Sequence, residues 1–364
     1  MIKLLCVVGA RPNFIKLAPL LNTARNYPDI KITIVHTGQH YDYNMSKVFF
    51  RDLNIPAPDV HLGIGSGTHS YQTGQIMIDL EREVIKRKPD VIVVIGDVNS
   101  TLAGALVAAK LCIPLAHIEA GLRSFDRTMP EEINRVVTDA LSELLFAPGG
   151  NAVRNLIREG IPRRKIFSVG NIMIDALKQY LPLAKKSRIT QALNLTHANY
   201  ALVTLHRPGN VDNKKTLTGI ITALTAISKE IQIAFPIHPR TKKQLKVFGL
   251  VKSLKETGNI KVIEPVGYVE SINLLINARL VLTDSGGVQE ETTFLGVPCL
   301  TLRNETEWEE TIKQGTNLLV GTKPEKIIDE AYKIFKLKKT YSHHIPINWD
   351  GKTALRIIKI IRRQ

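Results

Sequence analysis

Short runs of apolar, largely β-branched residues alternate with helical patterns from one end of the chain to the other. A short apolar run is typical of a strand buried on both faces, and apolar residues at a 3.6-residue period predict a helix. This period is approximated in Gln72–Lys88 by Ile76, Ile78, Leu80, Val84 and Ile85. The alternation predicts an α/β protein with doubly wound, mostly parallel sheets.

The predicted strands fall into two groups. In the first half they are Lys3–Val8, Lys31–Thr37, Val91–Ile95, Leu115–Ile118, Leu144–Ala147 and Lys165–Val169. In the second half they are Ala201–Leu205, Gln232–Pro236, Lys261–Ile263, Leu280–Thr283, Cys299–Leu302 and Asn317–Val320.

The strand–helix rhythm is interrupted at Leu181–Asn199, which is polar and weakly periodic. We therefore predict two Rossmann-like domains, residues 1–172 and 173–351, with the boundary near Asn171–Tyr180. The carboxyl ends of parallel strands bind ligands in such folds, so a central cleft faced by both domains is the expected site.

Composition excludes several protein classes. With 44% apolar and 23% charged residues among 364, the chain is neither disordered nor collagen-like. We find no run of about 18 apolar residues, so no transmembrane helix or membrane association is expected. The amino terminus resembles a first strand more than a signal peptide, which favours a cytoplasmic protein. Three cysteines in apolar runs, Cys6, Cys112 and Cys299, are predicted to be buried thiols in a reducing cytosol.

A formal net charge of +16, from 49 basic and 33 acidic residues, favours an anionic partner. A nucleic acid and a phosphorylated small molecule both fit that charge. The basic residues are scattered, however, and form no stripe interleaved with aromatic residues, which argues against nucleic acid. The common motifs for phosphate loops, metal sites and serine hydrolases are absent, so no metal is predicted.

Polar residues follow three predicted strands of the first half. Arg11 and Lys16 lie where a helix begins, which suits a phosphate or a solvated turn. Asp97 follows a wholly apolar strand and could either cap the next helix or act as a catalytic carboxylate. Glu119 ends a strand before a glycine, and Glu131 or Glu132 begins a helix after Pro130. Removing a proton from an unactivated carbon would require several such carboxylates to converge.

In the second half, the stretch Thr283–Glu291 joins a strand to a helix. Ser285, Gly286 and Gly287 would present backbone N–H groups to a phosphate, and Glu291 could bind a ribose diol. His206, beside Arg207, could add a cation, although a single histidine is often only structural.

Together these segments resemble the non-hydrolysing UDP-N-acetylglucosamine 2-epimerases. The resemblance extends from Gly9-Ala10-Arg11-Pro12 to Leu319-Val320-Gly321-Thr322 and includes Gln39-His40, Val169-Gly170-Asn171, His206-Arg207, His238-Pro239 and Asp284–Glu291. It implies a GT-B-like fold, a homodimer, and catalysis without metal or nicotinamide cofactor. It also implies that the C-terminal helix, about Lys352–Ile361 within residues 352–364, packs back on the first domain.

The resemblance implies a reaction as well. UDP-GlcNAc would be epimerised at C2 to UDP-ManNAc, a polysaccharide precursor, by elimination of UDP to 2-acetamidoglucal and re-addition. The family's catalytic residues correspond to Asp97, Glu119, Glu131 and the diphosphate-contacting His206. Its nucleotide contacts correspond to Arg11, Lys16, Val266, Ser285, Gly286, Gly287 and Glu291. Its allosteric site corresponds to Gln39, Arg207 and His238.

Two departures from the family pattern leave alternatives open. Thr306-Glu307-Trp308-Glu309 stands where many relatives have T-E-R-P, and resembles epimerases of UDP-2,3-diacetamido-2,3-dideoxyglucuronate. Gly209 replaces a glutamate that helps to bind an activating second UDP-GlcNAc, which leaves allostery undecided. A glycosyltransferase of the same fold, which would need an acceptor pocket, is a further alternative.

Overall fold

The computed structural model describes residues 1–39, 53, 55–255, 258–336 and 343–364. The chain divides into two compact units: Met1–Gln179 with Ile347–Gln364, and Tyr180–Pro346. The division lies inside a helix, Ile172–Lys186. Of the motif residues named above, His40 lies outside the described residues.

The first unit contains a seven-stranded sheet within the described residues, and every described strand pair in it is parallel. Its spatial order is β3-β2-β1-β4-β5-β6-β7. The strands are β1 (Ile2–Val8), β2 (Ile30–His36), β3 (Val60–His61), β4 (Val91–Ile95), β5 (Leu115–Ile118), β6 (Leu144–Ala147) and β7 (Ile166–Ser168). The helices are α1 (Arg11–Ala24), α2 (His69–Arg87), α3 (Asn99–Lys110), α4 (Pro130–Leu141), α5 (Gly150–Arg158) and α6 (Ile172–Lys186).

The second unit contains a six-stranded parallel sheet in the order β10-β9-β8-β11-β12-β13, again counting the described residues. Its strands are β8 (Tyr200–Thr204), β9 (Gln232–Pro236), β10 (Ile260–Ile263), β11 (Leu280–Thr283), β12 (Cys299–Thr301) and β13 (Asn317–Leu319). Its helices are α7 (Ile189–Ala192), α8 (Pro208–Val211), α9 (Lys214–Ile227), α10 (Pro239–Val247), α11 (Val251–Lys255), α12 (Tyr268–Ile276), α13 (Gly286–Leu295), α14 (Glu309–Lys313) and α15 (Pro324–Lys336).

Burial explains why the apolar runs form central strands. All five residues of β4 are buried, as expected for a parallel strand that is covered on both faces. Helix α2 contributes one inward stripe, Ile76, Leu80 and Val84, at the spacing of a helix face. The predicted α/β class with two doubly wound parallel sheets is confirmed.

Several local expectations need correction. Cys6 and Cys299 are buried, but Cys112 is exposed, because it lies in a left-handed turn (φ 54°) just after α3. The weakly periodic stretch Leu181–Asn199 includes the end of α6 and the short helix α7. Strand β3 was not predicted, because a two-residue strand has no periodicity to detect. None of the helices that the structure describes has the length and apolar character needed to cross a membrane.

The C-terminal helix α16 (Thr353–Ile361) belongs to the first unit and packs against α1. Buried Asp175 of α6 accepts hydrogen bonds from the backbone N–H groups of Thr353 (3.1 Å) and Ala354 (2.8 Å), which hold the start of α16. Burial raises the pKa of Asp175, although these two bonds act in the opposite direction. Arg362, just beyond the helix, pairs with Asp29 at 2.7 Å.

We predict that Ile358→Ala lowers the free energy of unfolding by about 2–5 kcal/mol, because Ile358 is fully buried in α16 and its loss leaves a cavity. Lys359→Ala, at the exposed neighbouring position, is the matched control and should change stability by about 0.5 kcal/mol or less. Urea titration of both variants measures the difference. Equal effects would contradict the packing of α16 described above.

Candidate active site

Three predicted carboxylates lie near one edge of the first sheet. Asp97 follows β4, Glu119 directly follows the neighbouring strand β5, and Glu131 lies in the first turn of α4. Parallel strands end at the same edge, so the first two acids are placed close together by the pairing of β4 with β5. Helix α4, which carries Glu131, is hydrogen-bonded to Asp97.

Asp97 is held by α4. Arg135 donates from Nη1 to Asp97 Oδ2 at 2.6 Å, and Asn134 donates from Nδ2 to the Asp97 carbonyl at 2.8 Å. The N-cap of α3 is Val98, with no side-chain capping bond, so Asp97 does not cap that helix. Its side chain is one-third exposed, which leaves the carboxylate accessible.

Glu119 is buried and has a left-handed backbone (φ 75°), a conformation that costs on the order of 1–3 kcal/mol outside glycine. Lys16 of α1 donates to Glu119 Oε2 at 2.5 Å. The other oxygen, Oε1, is buried without a hydrogen-bond partner among the described residues. Backbone strain and an incompletely bonded buried carboxylate are both typical of functional sites.

The neighbouring acids Glu131 and Glu132 have different surroundings. Glu132 is buried, and its carboxylate accepts from the Ser124 and Phe125 backbone N–H groups at 2.9 and 3.0 Å and pairs with Arg135 at 2.8 Å. Burial alone would raise the pKa of Glu132, but these contacts lower it overall. Glu131 is half-buried and lies one turn before Arg135, on the same helix face. The structure therefore gives Glu132 a structural task and leaves Glu131 as the acid candidate.

The start of α1 is tied to β4 by Asn13. Its Oδ1 accepts from the backbone N–H groups of Gly9 (3.2 Å) and Ala10 (3.0 Å), and its Nδ2 donates to the Ile95 carbonyl at 2.9 Å. A Cβ at Gly9 would lie 2.0 Å from Ser100 Oγ, so this turn requires glycine. Arg11 and Lys16 thus lie on a helix whose start is fixed against the end of β4.

Gln39 follows β2 in the same unit. Its side-chain oxygen accepts from the backbone N–H of Ser100 at 3.0 Å and from Ser100 Oγ at 2.7 Å. Gln39 is buried, so its side chain also has a structural task. The other two residues of the predicted allosteric site, Arg207 and His238, belong to the second unit, and regulation by a second ligand stays a prediction.

In the second unit, buried Asp284 organises the loop after β8. Its carboxylate accepts from the backbone N–H groups of His206 (3.1 Å) and Arg207 (3.0 Å) and from Asn210 Nδ2 (3.2 Å). It also lies 3.1 Å from His206 Nδ1, while the ring of His206 is 41% exposed. Burial opposes ionisation, but the His206 and Arg207 contacts lower the pKa of Asp284. His206 is therefore presented at the strand ends with a fixed orientation.

The helix start after β11 has the form predicted for a phosphate cradle. Ser285 is the N-cap of α13, and the helix begins at Gly286 and Gly287. A Cβ at Gly286 would lie 2.7 Å from Glu307 Oε1, so the backbone of Gly286 lies very close to the side chain of Glu307. Glu291, one turn further, is buried and accepts a hydrogen bond from the Tyr268 hydroxyl at 2.8 Å.

The departure at Thr306–Glu309 has a structural role. Trp308 is buried, and Glu307 pairs with Arg303 at 2.9 Å and with Arg207 at 3.3 Å. These two arginines offset the negative charge that Glu307 brings beside the start of α13.

Two further predicted residues, His238 and Val266, belong to the second unit. His238 caps α10, and its ring centroid is 5.7 Å from that of His206. Burial and then His206 lower the pKa of His238. Val266 is half-buried in the loop between β10 and α12. Within the part of the chain that the structure describes, no cluster of His, Cys, Asp or Glu could hold a metal ion.

The chain is similar in sequence and in fold to known proteins of one family. Residues 22–362 match the family model described as UDP-N-acetylglucosamine 2-epimerase. The chain belongs to the UDP-N-acetylglucosamine 2-epimerase family. It is 50% identical to a solved structure described as Methanocaldococcus jannaschii UDP-GlcNAc 2-epimerase in complex with UDP-GlcNAc and UDP, with all of both chains covered and a TM-score of 0.93.

Two other relatives extend the comparison. The UDP-GlcNAc 2-epimerase of Neisseria meningitidis, solved bound to UDP-GlcNAc, is 30% identical, with all of both chains covered and a TM-score of 0.91. The UDP-2,3-diacetamido-2,3-dideoxy-D-glucuronate 2-epimerase of Pseudomonas aeruginosa is 43% identical, with 99% of each chain covered. The predicted epimerase family and its GT-B-like fold are confirmed.

We predict that Glu132→Ala in this epimerase-family chain lowers the free energy of unfolding by about 3–5 kcal/mol, because it removes the buried partner of Arg135 and the acceptor of the Ser124 and Phe125 backbone N–H groups. Glu131→Ala removes only a favourable charge at a helix start and should cost about 1 kcal/mol or less. Denaturant unfolding of the two single variants provides a matched comparison. A cost for Glu131→Ala as large as that for Glu132→Ala would contradict the different tasks given to these acids.

Proposed function

We propose that this protein interconverts UDP-GlcNAc and UDP-ManNAc by inverting C2 of the sugar, without hydrolysis. The observation that carries the proposal is the gathering of Asp97, Glu119 and Glu131 around β4, β5 and α4, in a chain 50% identical to an epimerase solved with UDP-GlcNAc. A hydrogen on C2 of the sugar is not acidic, so this inversion needs both an activating step and positioned acid/base groups.

The activating step is cleavage of the bond between the anomeric carbon and the diphosphate oxygen. The electron pair leaves with UDP, and the sugar becomes oxocarbenium-like, which acidifies the C2 hydrogen. Arg11, Lys16, His206 and the N–H groups at the start of α13 would stabilise the diphosphate as it leaves. Each charge-assisted hydrogen bond contributes on the order of 1.5–3 kcal/mol, so several together lower the barrier strongly.

A carboxylate then takes the C2 proton, and the electron pair of that bond forms the C1–C2 double bond of 2-acetamidoglucal. Re-addition reverses these events with a proton delivered to the opposite face of C2. Two faces require at least two acid/base groups, which accounts for more than one acid at the site. The positions support Asp97, Glu119 and Glu131 as the candidates without distinguishing their faces.

The remaining proposed contacts bind the nucleotide. Lys16 already donates to Glu119, but an ammonium has three donors, so it can contact a phosphate oxygen at the same time. Ser285, Gly286 and Gly287 would bind phosphate oxygens through backbone N–H groups. Glu291 would accept from the ribose, and the backbone at Val266 would contact uracil.

A second candidate substrate is UDP-2,3-diacetamido-2,3-dideoxyglucuronate. Two observations favour it: the stretch Thr306–Glu309 with its buried Trp308, and the relative from P. aeruginosa at 43% identity. The same elimination chemistry would serve this substrate. A glycosyltransferase of the same fold would instead transfer sugar to an added acceptor.

The decisive assay incubates the purified protein with each sugar nucleotide in D₂O. Formation of UDP-ManNAc from UDP-GlcNAc with deuterium at C2 is the expected result. Turnover of UDP-2,3-diacetamido-2,3-dideoxyglucuronate alone would make that compound, and not UDP-GlcNAc, the substrate. Sugar transfer that requires an acceptor would overturn the epimerase assignment. Mass spectrometry and proton NMR distinguish these outcomes.

We predict that Asp97→Asn and Glu131→Gln abolish deuterium incorporation at C2 while UDP affinity, measured by calorimetry, is retained. Wild-type incorporation in either acid variant would remove that residue from the mechanism.

His206→Ala should weaken UDP binding roughly ten- to hundredfold, because a charge-assisted contact to the diphosphate is lost. Unchanged UDP affinity in His206→Ala would remove its diphosphate role.

We also propose that the protein is a homodimer. Helix α2 exposes Tyr71, Ile78 and Ile85, which recur every seven residues and so lie along one face. Acidic and basic residues are equal in number on this helix, three of each, although the whole chain carries +16. An apolar stripe with balanced charge suits contact with a second copy of the same helix.

For the homodimer, we predict a mass of about twice 40.6 kDa by light scattering. Ile78→Glu would place a charge in the apolar stripe of both copies and should shift the mass toward the monomer. Ser70→Glu, at an exposed position of the same helix outside the stripe, is the control. A wild-type mass near 40.6 kDa would overturn the dimer.

A further inference from the structure

A buried cluster of ionisable side chains, bonded to segments that carry the acids, is not used by the proposed mechanism. It consists of His117 on β5, Asp139 on α4 and Arg123 in the loop between them. His117 and Asp139 are fully buried, and Arg123 is 3% exposed. Taking such charges out of water costs several kcal/mol per ion, and well-packed apolar residues are often no less stable. The cluster therefore calls for an explanation beyond stability.

His117 connects two of the segments that carry acids. It lies two residues before Glu119, and its ring Nε2 is 2.9 Å from the carbonyl oxygen of Gly96, the residue before Asp97. Its Nδ1 is 2.6 Å from Asp139 Oδ1. A carbonyl oxygen only accepts, so Nε2 must donate to Gly96. The loop that carries Asp97 is thus held by a side chain of the strand that carries Glu119.

Asp139 connects the cluster to the third acid-carrying segment, helix α4 with Glu131. Its Oδ2 accepts from the backbone N–H of Gly121 at 2.9 Å and pairs with Arg123 at 2.7 Å. Asp139 lies eight residues after Glu131 on the same helix, α4, which is about two turns further along. Burial would raise the pKa of Asp139, but His117 and Arg123 lower it overall, so the carboxylate stays ionised.

The loop after β5 has little room to adjust. Gly121 has a φ of 84°, and a Cβ there would lie 2.3 Å from the Ala152 carbonyl oxygen. Gly96 also has a positive φ, of 70°. Glycine adopts these φ values without strain but is also flexible, so such turns rely on neighbouring groups for a fixed geometry. Here both turns are bonded to the same His117–Asp139 pair.

We propose that His117 and Asp139 are positioning residues that hold the segments carrying Asp97, Glu119 and Glu131 in the mutual geometry that proton transfer at C2 requires. The assignment rests on the proposed epimerase function. Productive sites must be held to within about 0.5 Å, and a misplacement of about 1 Å can lower the rate about 100-fold. Hydrogen bonds from one buried pair to both strand-end loops supply that restraint.

Two substitutions of His117 separate the bond to Gly96 from the bond to Asp139. The amide nitrogen of glutamine can occupy the position of Nε2, so His117→Gln can still donate to Gly96. The shorter asparagine can place its nitrogen near the Nδ1 position, so His117→Asn keeps the Asp139 contact and loses Gly96. Glu159→Gln is the control, because it weakens the same cluster through Arg123 without touching any segment that carries an acid.

We predict that His117→Asn lowers kcat for epimerisation about 100-fold with KM and UDP affinity unchanged, while His117→Gln and Glu159→Gln stay within about tenfold of wild type. Hydrogen exchange of a peptide covering Gly96–Asn99 should accelerate in His117→Asn and not in His117→Gln. Because exchange needs no turnover, it tests the restraint even if wild type fails to epimerise UDP-GlcNAc, a result that would refute the proposed function instead.

The opposite ranking, with His117→Gln the more impaired, would overturn the proposal, as would equal kcat in both variants. Unchanged exchange at Gly96–Asn99 in His117→Asn would also overturn it. If His117→Asn does not fold, Asp139→Asn replaces it. Its amide can donate to His117 Nδ1 and its oxygen can accept from Gly121, so kcat should stay within about tenfold. A 100-fold loss there would assign the cluster an electrostatic role and contradict positioning.

Discussion

Parallel strands end at one edge of a sheet, and the candidate site of the first unit depends on this constraint. Strands β1, β4 and β5 are neighbours, and adjacent strands lie about 4.8 Å apart. Side chains that follow them can therefore bond directly across the edge. Asn13, after β1, donates to the last residue of β4, and Lys16 reaches Glu119 beyond β5. A change in the strand order would separate all of these groups.

The acids at this edge of the sheet do not destabilise the fold, because basic side chains pair with them. A charge with little water around it is costly unless it is paired, and Lys16 and Arg135 pair with Glu119 and Asp97. Glu132 uses its charge to hold the loop that leads into α4, so that Glu131 begins the helix in a defined position. In the second unit, Asp284 likewise holds His206 in position by accepting a hydrogen bond from its backbone N–H. The acids proposed for chemistry on the sugar thus all belong to the first unit, and the second unit contributes only proposed nucleotide contacts.

Sequence patterns predicted the strands well, because a parallel strand covered on both faces must be apolar throughout. Val91–Ile95 and Leu115–Ile118 have the predicted ends, and the polar residues after them were visible as candidates. The patterns could not reveal partners that are distant in sequence. Arg135 is 38 residues from Asp97, and Asn13 is 82 residues from Ile95. Arg135 lies on the helix predicted after Pro130, but its partner Asp97 became evident only from the pairing of α4 with the loop after β4. Cys112 was mispredicted because apolar neighbours do not show that a left-handed turn exposes the side chain between them.

The proposed reaction requires that the bond between the sugar and UDP breaks and re-forms at the site. Positional isotope exchange tests it directly, with UDP-GlcNAc that carries ¹⁸O in the oxygen bridging the sugar and the β-phosphorus. Free rotation of the β-phosphate in bound UDP would move part of the label to non-bridging positions, and ³¹P NMR detects this scrambling. We expect scrambling to accompany epimerisation. Epimerised product that keeps all of its label in the bridge would exclude this reaction, because inversion at C2 would then proceed without cleavage of that bond.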